Sequence, residues 1–526
     1  MSDEAAFLRA IGESPEDDTP RLVFADWLEE NGREERAEFI RLQIRLSQMG
    51  EDDDGWDSLR RRERELLEKH ETDWRAGLPP DVSGGWRWGA FERGFLGSVS
   101  VTDWAGFEPD AEAVFDSQPV QRLRLLDRDR GTTEMIVPAS PHLGRLRELE
   151  FGRCRLGHVS PQEYVRSPHL RQLTRLLLDS NGIGPDWVRA ITRGGAFPNL
   201  RALSLAGNEI DTGAALTLFA AGHWPALTGL NLRGNRVAGD VIAGLIRTPL
   251  FRRLTRLDLG ANGIAGEQLG ELAGVTDPCA LTHLSLGPNP IGERGVRALA
   301  ATRLLANLRA LSLSSGNVPA QGVRYLALAP FWPNLTELHL SQNPIGDEGV
   351  RQMVEGPAPT GLRRLDLSDG EVGRIGVRAL AAWPGLAGVR HLRLGYNEQI
   401  GNMGLAWLAR SPLCENLTSL ELPGCGIDSA GLAELAASPL LARLRGLNLA
   451  RNRIGAEGVR ALAASPGAAN LRRLVLGGNP IDDGAARALV ASPHLGNLTE
   501  LLLDRHRIAD ETAEALRERF GAGVTF

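Results

Sequence analysis

Leucines recur along this chain at a fixed interval. The pattern L-x-x-L-x-L-x-x-N-x-I begins at Leu146, Leu173, Leu200, Leu227, Leu254, Leu281, Leu308, Leu335 and Leu362, each 27 residues after the last, and continues at Val389. One residue is then inserted, because Asn397-Glu398-Gln399 delays the apolar position to Ile400. The series resumes at Leu417, Leu444, Leu471 and Leu498, which makes fourteen units. A period held over that distance is the signature of a stacked repeat. Within Leu335-Thr336-Glu337-Leu338-His339-Leu340 the leucines at positions 4 and 6 alternate with polar residues, the period of a half-buried strand. From Ile454 to Ala464, Val459, Leu462 and Ala463 recur at helical spacing. Ser465-Pro466 then ends the helix, because proline disfavours helix at the residue before it. The same stop recurs at Ser411-Pro412, Ser438-Pro439 and Ser492-Pro493.

Each unit is therefore expected to run strand, turn, helix, loop. One such unit cannot bury its own apolar face, but a stack can. Position 9 is asparagine at Asn181, Asn208, Asn235, Asn262, Asn289, Asn343, Asn397, Asn452 and Asn479. A buried asparagine there satisfies backbone groups that the bend after the strand would orphan. Cys154 and Cys425 hold the same position and are expected to be structural; Gly316, Gly370 and His506 depart from it. Parallel strands sit ~4.8 Å apart and packed helices ~8–10 Å apart, so the stack should curve with the sheet inside. The expected fold is α/β: a right-handed solenoid, or horseshoe, with a parallel β-sheet on the concave face and helices on the convex face. This pattern resembles the ribonuclease-inhibitor class of leucine-rich repeats over residues 146–526.

The ends differ from the repeats. Residues 1–75 read as helices: Asp3 to Ile11, a second begun by Pro20 and ended at Asn31-Gly32, a third carrying Phe39, Ile40, Leu42, Ile44 and Leu46, an acidic loop from Glu51 to Asp54, and a charged helix through Trp74. Residues 76–145 read as a β-rich N-terminal cap, in which Trp86, Trp88, Phe91 and Phe95 cover the first strand. A charged capping helix from Asp510 to Phe520 follows the last unit. The run Phe24–Gly32 (FADWLEENG) with Ala37–Gln43 (AEFIRLQ) resembles the small companion domain found ahead of repeat arrays in planctomycete bacteria. That resemblance implies a bacterial source and no defined activity. Asp26, Glu38, Arg41 and Gln43 are candidates for a recognition surface there, against helix-pair packing with solvated charges.

Composition narrows the chemistry. Lys69 is the only lysine among 59 basic residues, and no Gly-rich loop precedes it. Walker A, kinase and pyridoxal-phosphate chemistry each require a placed lysine. Residues 1–75 hold 22 acids and 12 bases, so the negative charge concentrates there, and the arginines elsewhere are dispersed. No strongly basic domain points to nucleic acid. The four cysteines, Cys154, Cys279, Cys414 and Cys425, form no CxxC pair, so neither a metal site nor a disulfide framework is expected. No cofactor is implied. The acidic N-terminus lacks the features of a signal peptide, and no window has the apolar length to cross a bilayer. The expected location is cytoplasmic. Asn334, Asn416 and Asn497 begin Asn-Leu-Thr sequons at one point of the repeat and report the repeat rather than glycosylation.

Positions 3, 5 and 7 of each strand should face the concave side. The candidate binding residues there are Arg256, Asp258, His283, Glu337, His339, Arg364, Asp366, His391, Arg393 and Glu421. The surface is polar, mixed in sign and poor in aromatics, with glycine or serine frequent at position 7. His339, Asp366 and Arg393 fall at one position on three successive strands. A His–Asp pair supports acid–base or metal chemistry, whereas a solvated ladder of ion pairs is worth little individually. No HExxH, nucleophile elbow or paired zinc motif accompanies them. The expected function is a non-enzymatic, monomeric scaffold that binds an unidentified protein partner on the concave face. The alternatives are a regulator of an enzyme (an inhibitor or GTPase activator), both of which the ribonuclease-inhibitor resemblance accommodates, and a hydrolase using His339, Asp366 and Arg393.

Overall fold

The computed structural model describes residues 3–50, 53, 55–126, 139–193, 195–275 and 277–526. Of the acidic segment expected as a loop, Glu51, Asp52 and Asp54 lie outside them. The chain divides into two units, Met1–Arg236 and Val237–Phe526.

In the first unit, four helices open the chain: α1 (Asp3–Glu13), α2 (Thr19–Glu30), α3 (Glu34–Ser47) and α4 (Trp56–Ala76). Pro20 stands in the first turn of α2, where its missing N–H costs nothing. Phe24, Ala25, Leu28, Ala37, Ile40 and Ile44 form one core with Phe95. Phe39, Leu42 and Leu66 form a second with Phe91 and Leu96. Phe91 and Phe95 thus complete the helical cores instead of only covering a strand. The turn between them is held by reciprocal backbone bonds of Glu92 and Phe95, at 2.8 and 3.0 Å. Gly94 lies at its tip with φ +89°, and a β-carbon there would stand 2.4 Å from Ile40 Cγ1. Gln43 clamps the turn: its Oε1 accepts from Gly94 N–H at 2.7 Å and its Nε2 donates to Phe91 O at 3.1 Å. Arg36 donates to Gly94 O at 2.5 Å and lies over the Trp74 and Phe91 rings. Burial holds that guanidinium down at about 9.

The strands of this unit are β1 (Trp86–Trp88), β2 (Ser98–Val101), β3 (Arg122–Leu126), β4 (Glu148–Gly152), β5 (Arg175–Leu177), β6 (Ala202–Ser204) and β7 (Gly229–Asn231). β1 is antiparallel to β2, and from β2 onward each strand is parallel to the next.

The second unit contains β8 (Arg256–Asp258), β9 (His283–Ser285), β10 (Ala310–Ser312), β11 (Glu337–His339), β12 (Arg364–Asp366), β13 (His391–Arg393), β14 (Ser419–Glu421), β15 (Gly446–Asn448), β16 (Arg473–Val475), β17 (Glu500–Leu502) and β18 (Val524–Thr525). All pair in parallel, and equivalent repeat positions face each other, as in Leu338↔Leu365 and Leu365↔Leu392. Leu335, Leu338 and Leu340 are fully buried, as are Val350 and Met353 of the facing helix Gly346–Glu355. Each such side chain contributes ~1.5–3 kcal/mol by leaving water. Helices approach closely where glycine faces a neighbour: a β-carbon on Gly458 would stand 2.9 Å from Ser429 Cα. Side chains also cap the helix of the following repeat, as where Asp347 Oδ1 accepts from Gly373 and Gly376 N–H, both at 2.7 Å. The last helix, Asp510–Phe520, leads into β18, which pairs with β17. The tail after that helix is therefore a strand that covers an otherwise open sheet edge.

Candidate functional site

All ten candidate residues lie in the second unit, on strands β8, β9 and β11 to β14. Each flanks a buried leucine, so the pleat projects them from one face of the sheet. Arg256 and His283 are register partners, and β10 follows with the small residues Ala310 and Ser312. The remaining charges form a continuous group: Glu337↔Arg364, His339↔Asp366, Arg364↔His391, Asp366↔Arg393 and Arg393↔Glu421.

His339 is the hub. Its Nδ1 lies 3.9 Å from Asp366 Oδ2 and its Nε2 3.7 Å from Glu337 Oε2, ion-pair distances rather than tight hydrogen bonds. These two carboxylates, Asp366 foremost, raise the imidazole to about 9 against its burial. Glu337 is held below the usual carboxylate range, chiefly by His339, with Arg364 at 3.8 Å assisting. Burial alone would raise Asp366, but His339 and the Ser368 donors outweigh it and hold it low. Ser368 N–H donates to Asp366 Oδ1 at 3.0 Å. Arg393 turns to Glu421, 3.1 Å away. His283 is pushed down by burial and by Arg256, and its Nδ1 lies 2.9 Å from Thr282 Oγ1.

The raised imidazole bears on a general-base role for His339 and leaves a general-acid role open. A general base must be unprotonated at working pH, and the Asp366 and Glu337 carboxylates favour the protonated form of His339. Arg393 is register partner to Asp366, yet its guanidinium engages Glu421, so the three residues of the hydrolase alternative do not converge. Among the described residues, no group of three or more His, Cys, Asp or Glu side chains is placed to hold a metal ion. Position 7 is small along the group (Ser341, Ser368 and Gly395), which leaves the face open.

The asparagines at position 9 are all buried, three in the first unit and six in the second. Cys154 N–H donates to Asn181 Oδ1 at 2.7 Å and its thiol to Leu125 O at 3.4 Å. Cys425 does the same toward Asn452 and Leu394, and burial pushes its thiol up to about 12. A second row of asparagines went unread in the sequence. Asn199, Asn307, Asn334, Asn416, Asn470 and Asn497, one residue before the repeat's first leucine, each donate to a carbonyl of the preceding repeat at 2.6–3.0 Å. The sequons at Asn334, Asn416 and Asn497 were its visible trace. Of the N-terminal candidates, Gln43 is buried in its clamp, Arg41 pairs with Asp26 and Glu29, and Glu38 pairs with Arg62.

The leucine-rich repeat family matches residues 278–300, 333–353, 413–436, 444–463 and 467–490. Solved structures similar to this chain include an internalin from Listeria monocytogenes (21% identity, 63% of this chain and 81% of that one, TM-score 0.40). Others are the Rad7 and Elc1 complex of yeast (16%, 62% and 82%, 0.43) and the complex of TLR13 with ssRNA13 (17%, 81% and 72%, 0.39). No curated protein matches the chain. The chain carries leucine-rich repeats, stacked as strand and helix in each unit.

Proposed function

We propose that the exposed sheet face between β8 and β14 binds a protein partner and that the chain is a non-enzymatic recognition scaffold. The observation that carries this reading is the group Glu337, His339, Arg364, Asp366, Arg393 and Glu421, whose charges hold one another in place on an otherwise open face. Pre-positioned charges of both signs favour one partner and penalise mismatched ones, which makes them determinants of specificity more than of raw affinity. Arg256, Asp258, His283 and His391 extend the same face.

The repeats belong, in this reading, to the ribonuclease-inhibitor class, and residues 1–75 form a planctomycete-type companion domain that caps the array or adds a second contact. The protein works as a cytoplasmic monomer without a cofactor. Among the described residues no helix is long and apolar enough to cross a membrane. The test is affinity purification from the source organism with mass spectrometry, repeated with Asp366→Ala/Arg393→Ala. Loss of a specific co-purifying protein supports the scaffold. Substrate turnover by the isolated protein that His339→Ala abolishes would overturn it.

A further inference from the structure

Single exposed apolar side chains are ordinary on a protein surface, but large ones grouped at positions that are elsewhere polar or small are not. Two consecutive repeats of the second unit carry such a group. Ile375 and Met403 are 66% and 55% exposed. Each immediately precedes the buried glycine of its helix, Gly376 in Arg374–Ala381 and Gly404 in Gly401–Arg410, so they hold one repeat position on adjacent helices. The same position is Arg294, Gln321 and Glu348 in the three preceding repeats and Ala430, Glu457 and Gly484 in the three that follow.

Tyr396, 53% exposed, belongs to the same two repeats. It stands in the turn that leaves β13, three residues after Arg393, at φ +59°. Its equivalents are Ser315, Gln342, Asp369, Gly424 and Arg451. A β-carbon on Gly424 would come 3.1 Å from Tyr396 Cδ1, so the ring lies along the next repeat's turn. These two repeats therefore present a tyrosine in the turn after β13, and an isoleucine and a methionine at one position of adjacent helices.

The charges around them are mainly acidic. Asp369, Glu371, Glu398 and Asp428 are exposed on this strand-to-helix edge, with Arg374 and Arg378 as counter-charges, the latter over the Trp407 ring. Glu398 pairs with Arg453 at 3.2 Å, whereas neither Asp369 nor Glu371 enters an ion pair among the described residues. We infer that this edge anchors the partner by docking a basic segment with apolar side chains, the apolar groups covering Ile375, Tyr396 and Met403 and the cations meeting Asp369 and Glu371. The inference rests on the reading of the sheet face as a partner site and names the chemistry of that partner.

The test uses the full-length protein, fluorescently labelled, on an array of peptides of about 15 residues that varies net charge and apolar content independently. Binding is expected to require both basic and apolar residues and to weaken with salt. Ile375→Glu/Met403→Glu should reduce it by about tenfold, and Tyr396→Ala should reduce it severalfold. Because these side chains are exposed, thermal unfolding should stay as in wild type; Ile375→Gln/Met403→Gln serves as the milder variant. Binding that ignores peptide charge, or that survives both double variants, overturns the inference. Binding lost only with Asp366→Ala/Arg393→Ala overturns it while leaving the sheet-face reading intact. Self-association in sedimentation that the double variants abolish also overturns it, in favour of a second copy.

Discussion

Asn343 Oδ1 stands 2.8 Å from the backbone nitrogen of Val318 in the preceding repeat. The same oxygen accepts from Gly316 N–H at 3.0 Å, and Asn343 Nδ2 donates to Leu313 O at 2.9 Å and Leu340 O at 2.8 Å. One amide therefore ties the strand exits of two repeats together, in a place that water does not reach. Asn343→Ala should leave two N–H groups and two carbonyls short of a partner. At ~1–3 kcal/mol for each buried unsatisfied group, with partial relaxation, the loss is expected to be about 3 kcal/mol in urea denaturation. Amide exchange at Gly316 and Val318 should quicken most. An unchanged midpoint would show that the row is decorative.

Consensus reasoning suggests that restoring asparagine at Gly316 would stabilise the array, and the geometry predicts the opposite. A β-carbon on Gly316 would stand 2.6 Å from Leu313 O. The neighbouring turn already bonds without that side chain: Ile291 N–H donates to Asn289 O at 2.7 Å, and Gly292, at φ +56°, donates to Gly316 O at 2.9 Å. Gly316→Asn should lower the unfolding temperature. A rise would mean that the backbone can return to the common turn.

These contrasts mark what the sequence made legible. The leucines at positions 1, 4 and 6, the strand alternation and the buried asparagines follow from periodicity, because the same short-range physics repeats in every unit. The segment Phe91–Leu96, which plugs the two helical cores, does not, since its packing depends on helices some 50 residues away in the chain, as the Gly94–Gln43 bond illustrates. The strand at Val524–Thr525 is too short for any pattern and forms because β17 offers it an edge. On the sheet face, the positions of Glu337, His339, Arg364, Asp366, Arg393 and Glu421 were readable. The choice of Arg393 to bond Glu421 and not Asp366 depends on side-chain geometry, which spacing does not encode.

The plug itself gives a sharp test. Gly94 combines a left-handed φ with contact against Ile40, so Gly94→Ala has neither the conformation nor the room it needs. A destabilisation of about 2–4 kcal/mol is expected, together with faster proteolysis within residues 3–50. Wild-type resistance to protease would show that the helices hold without the plug.

His339 makes the second unit sensitive to pH. Its folded value, about 9, lies above its ordinary 6.5. The stabilisation is therefore complete below about pH 6.5 and is lost as pH rises through about 9. With the partial exposure of the pair screening the interaction, the loss is on the order of 1 kcal/mol. Glu337 and Asp366, both held low, act in the other direction: their contribution is present at neutral pH and is lost as acid protonates them. Unfolding temperature measured from pH 5 to 10 should decline on the alkaline side in wild type and decline less in His339→Gln. Parallel profiles would remove His339 from the account.

The Arg393–Glu421 pair separates recognition from stability. The Arg393 and Glu421 side chains are 50% and 25% exposed, and ion pairs open to solvent are worth ~0–1 kcal/mol. Reversing the pair, Arg393→Glu with Glu421→Arg, keeps the attraction between them but sets a carboxylate beside the register partner Asp366, so the unfolding temperature should fall by about 2–4 °C. A partner reads the order of charges along the face, so the reversal should place like charges against it and weaken binding by about tenfold or more. Each single reversal should weaken binding as well while sacrificing the pair. The co-purified protein, titrated against wild type and the three variants, provides the measurement. Binding that follows unfolding temperature across the variants would assign the pair to the fold, whereas binding lost out of proportion to that small fall assigns it to the partner.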